Sequence, residues 1–271
     1  MTSVGDMKKH ACRFALAAFC LFGLPVAARA SPSSGQVDSL DVAAGQFRSY
    51  VLEQIGQSLA GVRAMRDRIA ARDLAGAQHA WLAARAGWES SEIVTAEYFP
   101  DLDRAIDAWP DGARGFHAIE ARLFGARSTD TLMAAEQLVT DLTEFERQLR
   151  RTPLTAQHLL NGVARLTYEI GEDKAGGGES PYSGNSLAEI GNNITAIAAV
   201  YHRVLAPAVR KQQRPLSDRV AAELNHLLTL VTASNLSAVD QTALRELSET
   251  VTADLADLGQ QLGLQKPSLA N

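Results

Sequence analysis

His117 and Glu120 stand three residues apart in the segment Gly115-Phe116-His117-Ala118-Ile119-Glu120. On a helix, positions i and i+3 share one face. An imidazole and a carboxylate there project together, and both are ligands for divalent and trivalent metal ions. Alone, the His-x-x-Glu spacing recurs often by chance, so its weight depends on other carboxylates converging on it. Glu89 and Glu92 form a second pair three apart, beside Trp88. Asp103 and Asp107 form a third, four apart, and Glu179 lies in the glycine-rich stretch around Pro181-Tyr182-Ser183. Carboxylates from several helices joined to a Glu/His pair are the donor set of carboxylate metal sites in helical proteins. Buried and unpaired they are costly, so a cation is the expected partner.

Simpler readings stand beside this one. Glu89 and Glu92 also suit a solvated helix face, and Asp103 and Asp107 can pair with Arg104 or Arg114. The glycine-rich stretch also suits a flexible connection. Trp81, Trp88, Trp109 and Phe116 read as core. His79, His158, His202 and His226 lie on separate segments without ligand spacing and read as structural or surface residues.

The elements that must position these residues are helices. Lys8, Lys9, His10 and Arg13 precede an apolar run from Ala15 to Ala27, and Ala28-Arg29-Ala30 supplies a small-x-small site before Ser31. This is the pattern of a cleavable secretory signal peptide over residues 1–30. Phe19 is too bulky for a lipobox before Cys20. Both cysteines, Cys12 and Cys20, fall in that leader, so the exported part has neither thiol nor disulfide and needs a full hydrophobic core. Any metal is then held by histidine, carboxylate or backbone, which favours hard ions. The formal net charge of −5 gives no case for nucleic acid.

Residues 31–37 read as a short disordered lead. From Asp38 to Arg72, Leu40, Val42, Phe47, Val51, Ile55, Leu59, Val62, Met65 and Ile69 recur at helical spacing. A second helix is expected from Asp73 to Phe99, a short one from Leu102 to Trp109, and a turn at Pro110-Asp111-Gly112. The His117 helix follows to about Gly125, and Thr129 or Asp130 caps the next, which runs to Arg151. Beyond Pro153 four more helices are expected, interrupted by the irregular stretch from Gly176 to Ser186. No segment alternates as a strand does. The fold class is all-α: two stacked antiparallel helical bundles, residues 38–152 and 153–271.

The segment from Trp88 to Phe124 resembles the imelysin-like family, in particular its EfeO/EfeM-type periplasmic iron-uptake branch. The resemblance rests on Trp88-Glu89 with Glu92, on Leu102-Asp103 with Ile106-Asp107, on Gly115-Phe116-His117 with Glu120, and on Gly178-Glu179-Ser180-Pro181-Tyr182-Ser183 followed by Asn193. It implies a metal pocket of Glu89, Glu92, Asp107, His117, Glu120 and Glu179, with Asp103 as a further candidate. It also implies iron, as Fe3+ or Fe2+, with Zn2+ or Cu2+ tolerated by the single imidazole. A periplasmic location follows, with a membrane iron permease and a periplasmic peroxidase of the same system as partners. No cupredoxin-like stretch precedes the helices, which is the family's short form. Two other readings come with the resemblance. One is an imelysin-type metallopeptidase, for which the sequence lacks His-Glu-x-x-His. The other is binding of acidic polysaccharide, through the metal or through a basic face of Arg63, Arg66, Arg68 and Arg72.

Overall fold

The computed structural model describes residues 34–107, 114–177 and 179–269. The expected leader, Trp109, the turn at residues 110–112 and Gly178 lie outside the described residues. Among the described residues there are ten α-helices and no strand. Pro32–Asn271 forms one compact unit.

Helix α1 (Ser34–Ala70) is 37 residues long, about 55 Å at 1.5 Å per residue. It starts four residues before Asp38, inside the stretch expected to be disordered. Once Leu40 and Ala44 are buried, each preceding residue extends the helix by one hydrogen bond without a new nucleation cost. Leu40, Phe47, Val51, Ile55, Leu59, Val62, Met65 and Ile69 form its buried stripe, whereas Val42 is 62% exposed. Two residues from Leu40 is about 200° around a helix, so Val42 belongs to the opposite face.

Helix α2 (Leu74–Glu89) begins at Asp73, whose side chain accepts from the Gly76 N–H at 2.9 Å. It ends at Glu89, ten residues before Phe99. The Ser90 hydroxyl donates to Ala86 O at 2.9 Å and the Ser91 hydroxyl to Trp88 O at 2.7 Å. These local bonds compete with helix continuation, and a 3₁₀ turn over Glu92–Val94 follows. Two short helices come next, α3 (Thr95–Tyr98) and α4 (Pro100–Ile106), the latter opened by its proline. Helix α5 (Gly115–Glu120) carries the motif and runs into a π turn over Ala121–Gly125.

Helix α6 (Leu132–Leu149) closes the first group of helices. Its N-cap is Thr131, and neither Thr129 nor Asp130 caps it, because a tight Thr131 N–H to Thr129 O bond uses those residues as a turn. The second group comprises α7 (Ala156–Glu172), α8 (Ser186–Val200), α9 (Arg214–Leu230) and α10 (Gln241–Gln261). Helix α1 packs on α2 and α6, while α10 packs on α7 and α9. The groups meet where α2 crosses α8 and where α7 backs the Glu92 turn. A Cβ on Gly162 of α7 would lie 1.8 Å from Ile93 O, so only glycine admits that turn so close.

Gly115 fixes the other close approach. Its φ is +75°, and a Cβ there would fall 2.4 Å from Ile106 O. The end of α4, carrying Asp107, and the start of α5, carrying His117, are thereby pressed together. Gly115→Ala is expected to destabilise the protein by about 2–4 kcal/mol, through the left-handed backbone penalty and overpacking together. Urea denaturation checks this as a lowered midpoint at unchanged slope.

Candidate metal centre

Between the two groups, five expected residues converge. Glu89 comes from the last turn of α2, Glu92 from the 3₁₀ turn and Asp107 from the end of α4. His117 comes from α5 and Glu179 from the loop before α8. Glu89 and Glu92 are buried, not a solvated face. Arg104 pairs with Asp101, and Arg114 with Asp141 at 2.5 Å, so neither satisfies Asp107. Asp107 instead accepts from the Trp88 indole N–H at 2.7 Å and from Arg85, and its Oδ1 lies 3.0 Å from His117 Nε2.

Single ligand atoms of Asp107, His117 and Glu179 lie within 4.8 Å of one another, and so do those of Glu89, Glu92 and Glu179. Glu179 is shared, so the pocket holds two adjoining cages. Glu120 belongs to neither cluster. Its Oε1 accepts from the Ser183 N–H at 2.8 Å, the Ser183 hydroxyl at 2.7 Å and the Tyr182 N–H at 3.2 Å. Its Oε2 lies 3.7 Å from His117 Nδ1. Glu120 thus ties the glycine-rich loop to α5 and faces the imidazole from behind. Asp103 accepts from the Thr95 hydroxyl at the edge of the pocket, and burial, with Glu92 and Asp107 adding repulsion, pushes its pKa up to about 7.

Three central residues are absent from the expected set: Arg85, Lys174 and Glu189. Arg85 is fully buried against the Trp81 and Phe116 rings, at 5.8 and 5.2 Å from their centroids. It pairs with Glu89, Asp107 and Glu189 and lies 3.8 Å from Glu179. Glu189 on α8 also accepts from the Ser180 hydroxyl at 2.7 Å and the Asn185 amide at 3.1 Å. Lys174, just beyond α7, reaches Glu92 and Glu179, each at 2.9 Å. A signal for Arg85 exists in the sequence. Trp81, Arg85 and Trp88 are spaced i, i+4, i+7, which puts an arginine in the apolar stripe of α2. The same holds for Glu189 beside Ile190, Asn193 and Ile194. Nothing around Lys174 marks it.

The electrostatics follow from this crowding. Burial raises Glu89 well above the carboxylate range, more than Arg85 and Lys174 lower it. Burial also lifts Glu179 to about 7 against the pull of Lys174. Asp107 goes the other way, because Arg85 and His117 overcome its burial and hold it far below the usual value. Burial disfavours the His117 imidazolium, yet the Asp107 carboxylate outweighs it and raises the pKa to about 9.

Of the arginines suited to an acidic polymer, Arg66 pairs with Asp67 at 2.6 Å and Arg68 with Asp73 at 2.9 Å. His158 bonds Tyr98 through its ring nitrogen at 2.9 Å, away from the pocket.

The imelysin family model matches residues 46–262. The iron uptake system component EfeO of Escherichia coli (strain K12) is 28% identical over 264 residues, covering 89% of this chain and 70% of that protein. The iron uptake system component EfeO of Yersinia pseudotuberculosis is 26% identical over 239 residues, covering 81% of this chain and 63% of its own. Among solved structures, a protein assigned as an iron-regulated protein A precursor from Parabacteroides distasonis ATCC 8503 superimposes with a TM-score of 0.66 at 17% identity. The match covers 86% of this chain and 96% of that one.

Proposed function

The chain belongs to the imelysin family, and from that premise we propose that it is the metal-binding component of an iron uptake system. Iron is its cargo. Asp107, His117 and Glu179 hold the ion, and Glu89 and Glu92 complete the oxygen-rich surroundings. Glu120 orients His117 and pins the loop that carries Glu179. The protein works in the periplasm and passes iron to a membrane permease, with a peroxidase of the same system as a second partner. No helix among the described residues is long and apolar enough to cross a membrane.

One observation carries this reading: the pocket has more buried carboxylates than fixed cations. Among the described residues, Glu89, Glu92, Asp107, Glu120, Glu179 and Glu189 surround Arg85, Lys174 and the His117 imidazole, while Arg165, near Glu92 and Asp103, is taken up by Glu169 at 2.5 Å. A multivalent ion supplies the missing positive charge, and hard oxygen donors with one imidazole suit iron in either common oxidation state.

The test is iron(II) binding under anaerobic conditions, with released protons counted in weakly buffered solution. Iron must displace protons from Glu179, with its pKa near 7, and from His117, near 9. Affinity is therefore expected to rise as pH goes from 6 to 8, by about tenfold per unit for the His117 proton and by about tenfold in all for the Glu179 proton, whose effect levels off above pH 7. Iron that does not bind, or binds with the same affinity across that range and releases no proton, overturns the assignment.

A further inference from the structure

Lys174 is surrounded in a way that an ordinary ion pair is not. Its Nζ lies 2.9 Å from Glu92 Oε2, 2.9 Å from Glu179 Oε1, 2.9 Å from Asn193 Oδ1 and 3.3 Å from Glu89 Oε2. An ammonium carries three hydrogens, so four oxygens around it exceed what it can bond. Four converging oxygens, three of them anionic, are instead what a hard metal cation collects. They come from α2, the 3₁₀ turn, the loop before α8, and α8 itself. The whole cluster is buried, so the lysine cannot extend its head into water as surface lysines do.

Two further facts point to a cation position. Single oxygens of Glu89, Glu92 and Glu179 already lie within 4.8 Å of one another. The second oxygen of Glu179 is buried without a hydrogen-bond partner among the described residues. Glu179 also belongs to the Asp107–His117 cluster, so one carboxylate separates the two cages. Contraction to the ~2.1–2.4 Å of a metal–oxygen bond moves the three oxygens at 2.9 Å by about 0.5–0.8 Å and Glu89 Oε2, at 3.3 Å, by about 0.9–1.2 Å.

We propose that Lys174 is a tethered cation that fills this second cage. It limits the protein to one metal ion per chain, and its removal opens a metal site of Glu89, Glu92, Glu179 and Asn193. The inference rests on the reading of the neighbouring Asp107–His117–Glu179 cluster as the cargo site, but it is measured separately. Arg85 cannot play the same part. Its flat guanidinium lies against two aromatic rings and is spread over Asp107, Glu89 and Glu189, so it neutralises the wall of the pocket without occupying a cage.

The experiment uses the purified protein stripped with a chelator and equilibrated with Mn2+, a hard divalent ion free of redox complications, at one fixed pH. Metal per chain is counted by elemental analysis for the wild type, Lys174→Met, Lys174→Met with Glu92→Gln, and Lys174→Met with His117→Ala. The expected counts are one, two, one and one. A folded Lys174→Met protein that binds no more Mn2+ than the wild type overturns the proposal and leaves the cargo site standing. A wild type that binds none, beside a variant that gains one ion lost again with Glu92→Gln, removes the cargo site and upholds the role of Lys174. If Lys174→Met is too unstable to purify without metal, the readout is thermal. Mn2+ then raises the Tm of the variant by several degrees more than that of the wild type, and equal rises overturn the proposal.

Discussion

Arg85→Met is expected to lower stability by about 3–5 kcal/mol, because it strips a buried charge from several carboxylates at once. For a chain of this size that corresponds to a Tm lower by roughly 6–20 °C. Methionine keeps the bulk against Trp81 and Phe116 but leaves Asp107, Glu89 and Glu189 without their shared partner. Glu189 and Asp107 depend on it most, since both are held below the usual carboxylate range against their burial. The loss is pH-dependent with a definite sign. In the variant these carboxylates resist ionising, so protons substitute for the guanidinium at low pH. The destabilisation therefore shrinks toward pH 5 and grows toward pH 8. Calorimetry at both pH values decides the point. A loss that is the same at both would mean that Arg85 serves by packing and not by charge.

His117→Ala is expected to weaken iron binding by at least about 100-fold, the upper end of what even outer-shell changes cost at metal sites. The pocket is otherwise built of oxygen donors, and the imidazole is the one nitrogen ligand in either cluster. It is also the group whose proton the ion must replace most often near neutrality. The number of protons released on loading should fall together with the affinity, which a general loss of structure would not predict. Glu120→Gln is the informative companion. It keeps an acceptor for the Tyr182 and Ser183 amides but removes the charge behind His117 Nδ1. A loss of about 10–100-fold fits its place as an orienting residue. A loss equal to that of His117→Ala would make Glu120 a direct ligand, as the motif alone implies. Isothermal titration with iron(II) measures both variants against the wild type.

The helical nature of the chain was legible throughout, because apolar residues recur at 3.6-residue spacing and no segment alternates. Element ends were less so. Read as pattern, α2 continues through Glu92 to Phe99, and only the Ser90 and Ser91 hydroxyl bonds stop it at Glu89. That break matters for the site, since it lets Glu89 and Glu92 approach Lys174 from a helix end and a separate turn. The motif residues His117, Glu89, Glu92, Asp107 and Glu179 were found by spacing and resemblance, and the fold gathers all five. Arg85 was visible only as a charge in an apolar stripe, and Lys174 not at all.

By itself, then, the sequence determined the all-helical class, the family and the acidic residues from which a metal pocket can be made. These depend on short-range spacing, which a helix converts directly into shared faces. Only the tertiary structure decided which carboxylates meet, that Asp107 pairs with His117, and that Arg85 and Lys174 stand among them. The reason is that ion pairs in this pocket link residues up to 104 positions apart. Their formation depends on how α2, α5, α8 and the Glu179 loop pack, with Gly115 and Gly162 setting the closest approaches. No local pattern records the distance between two helices, and that distance selects the charge partners.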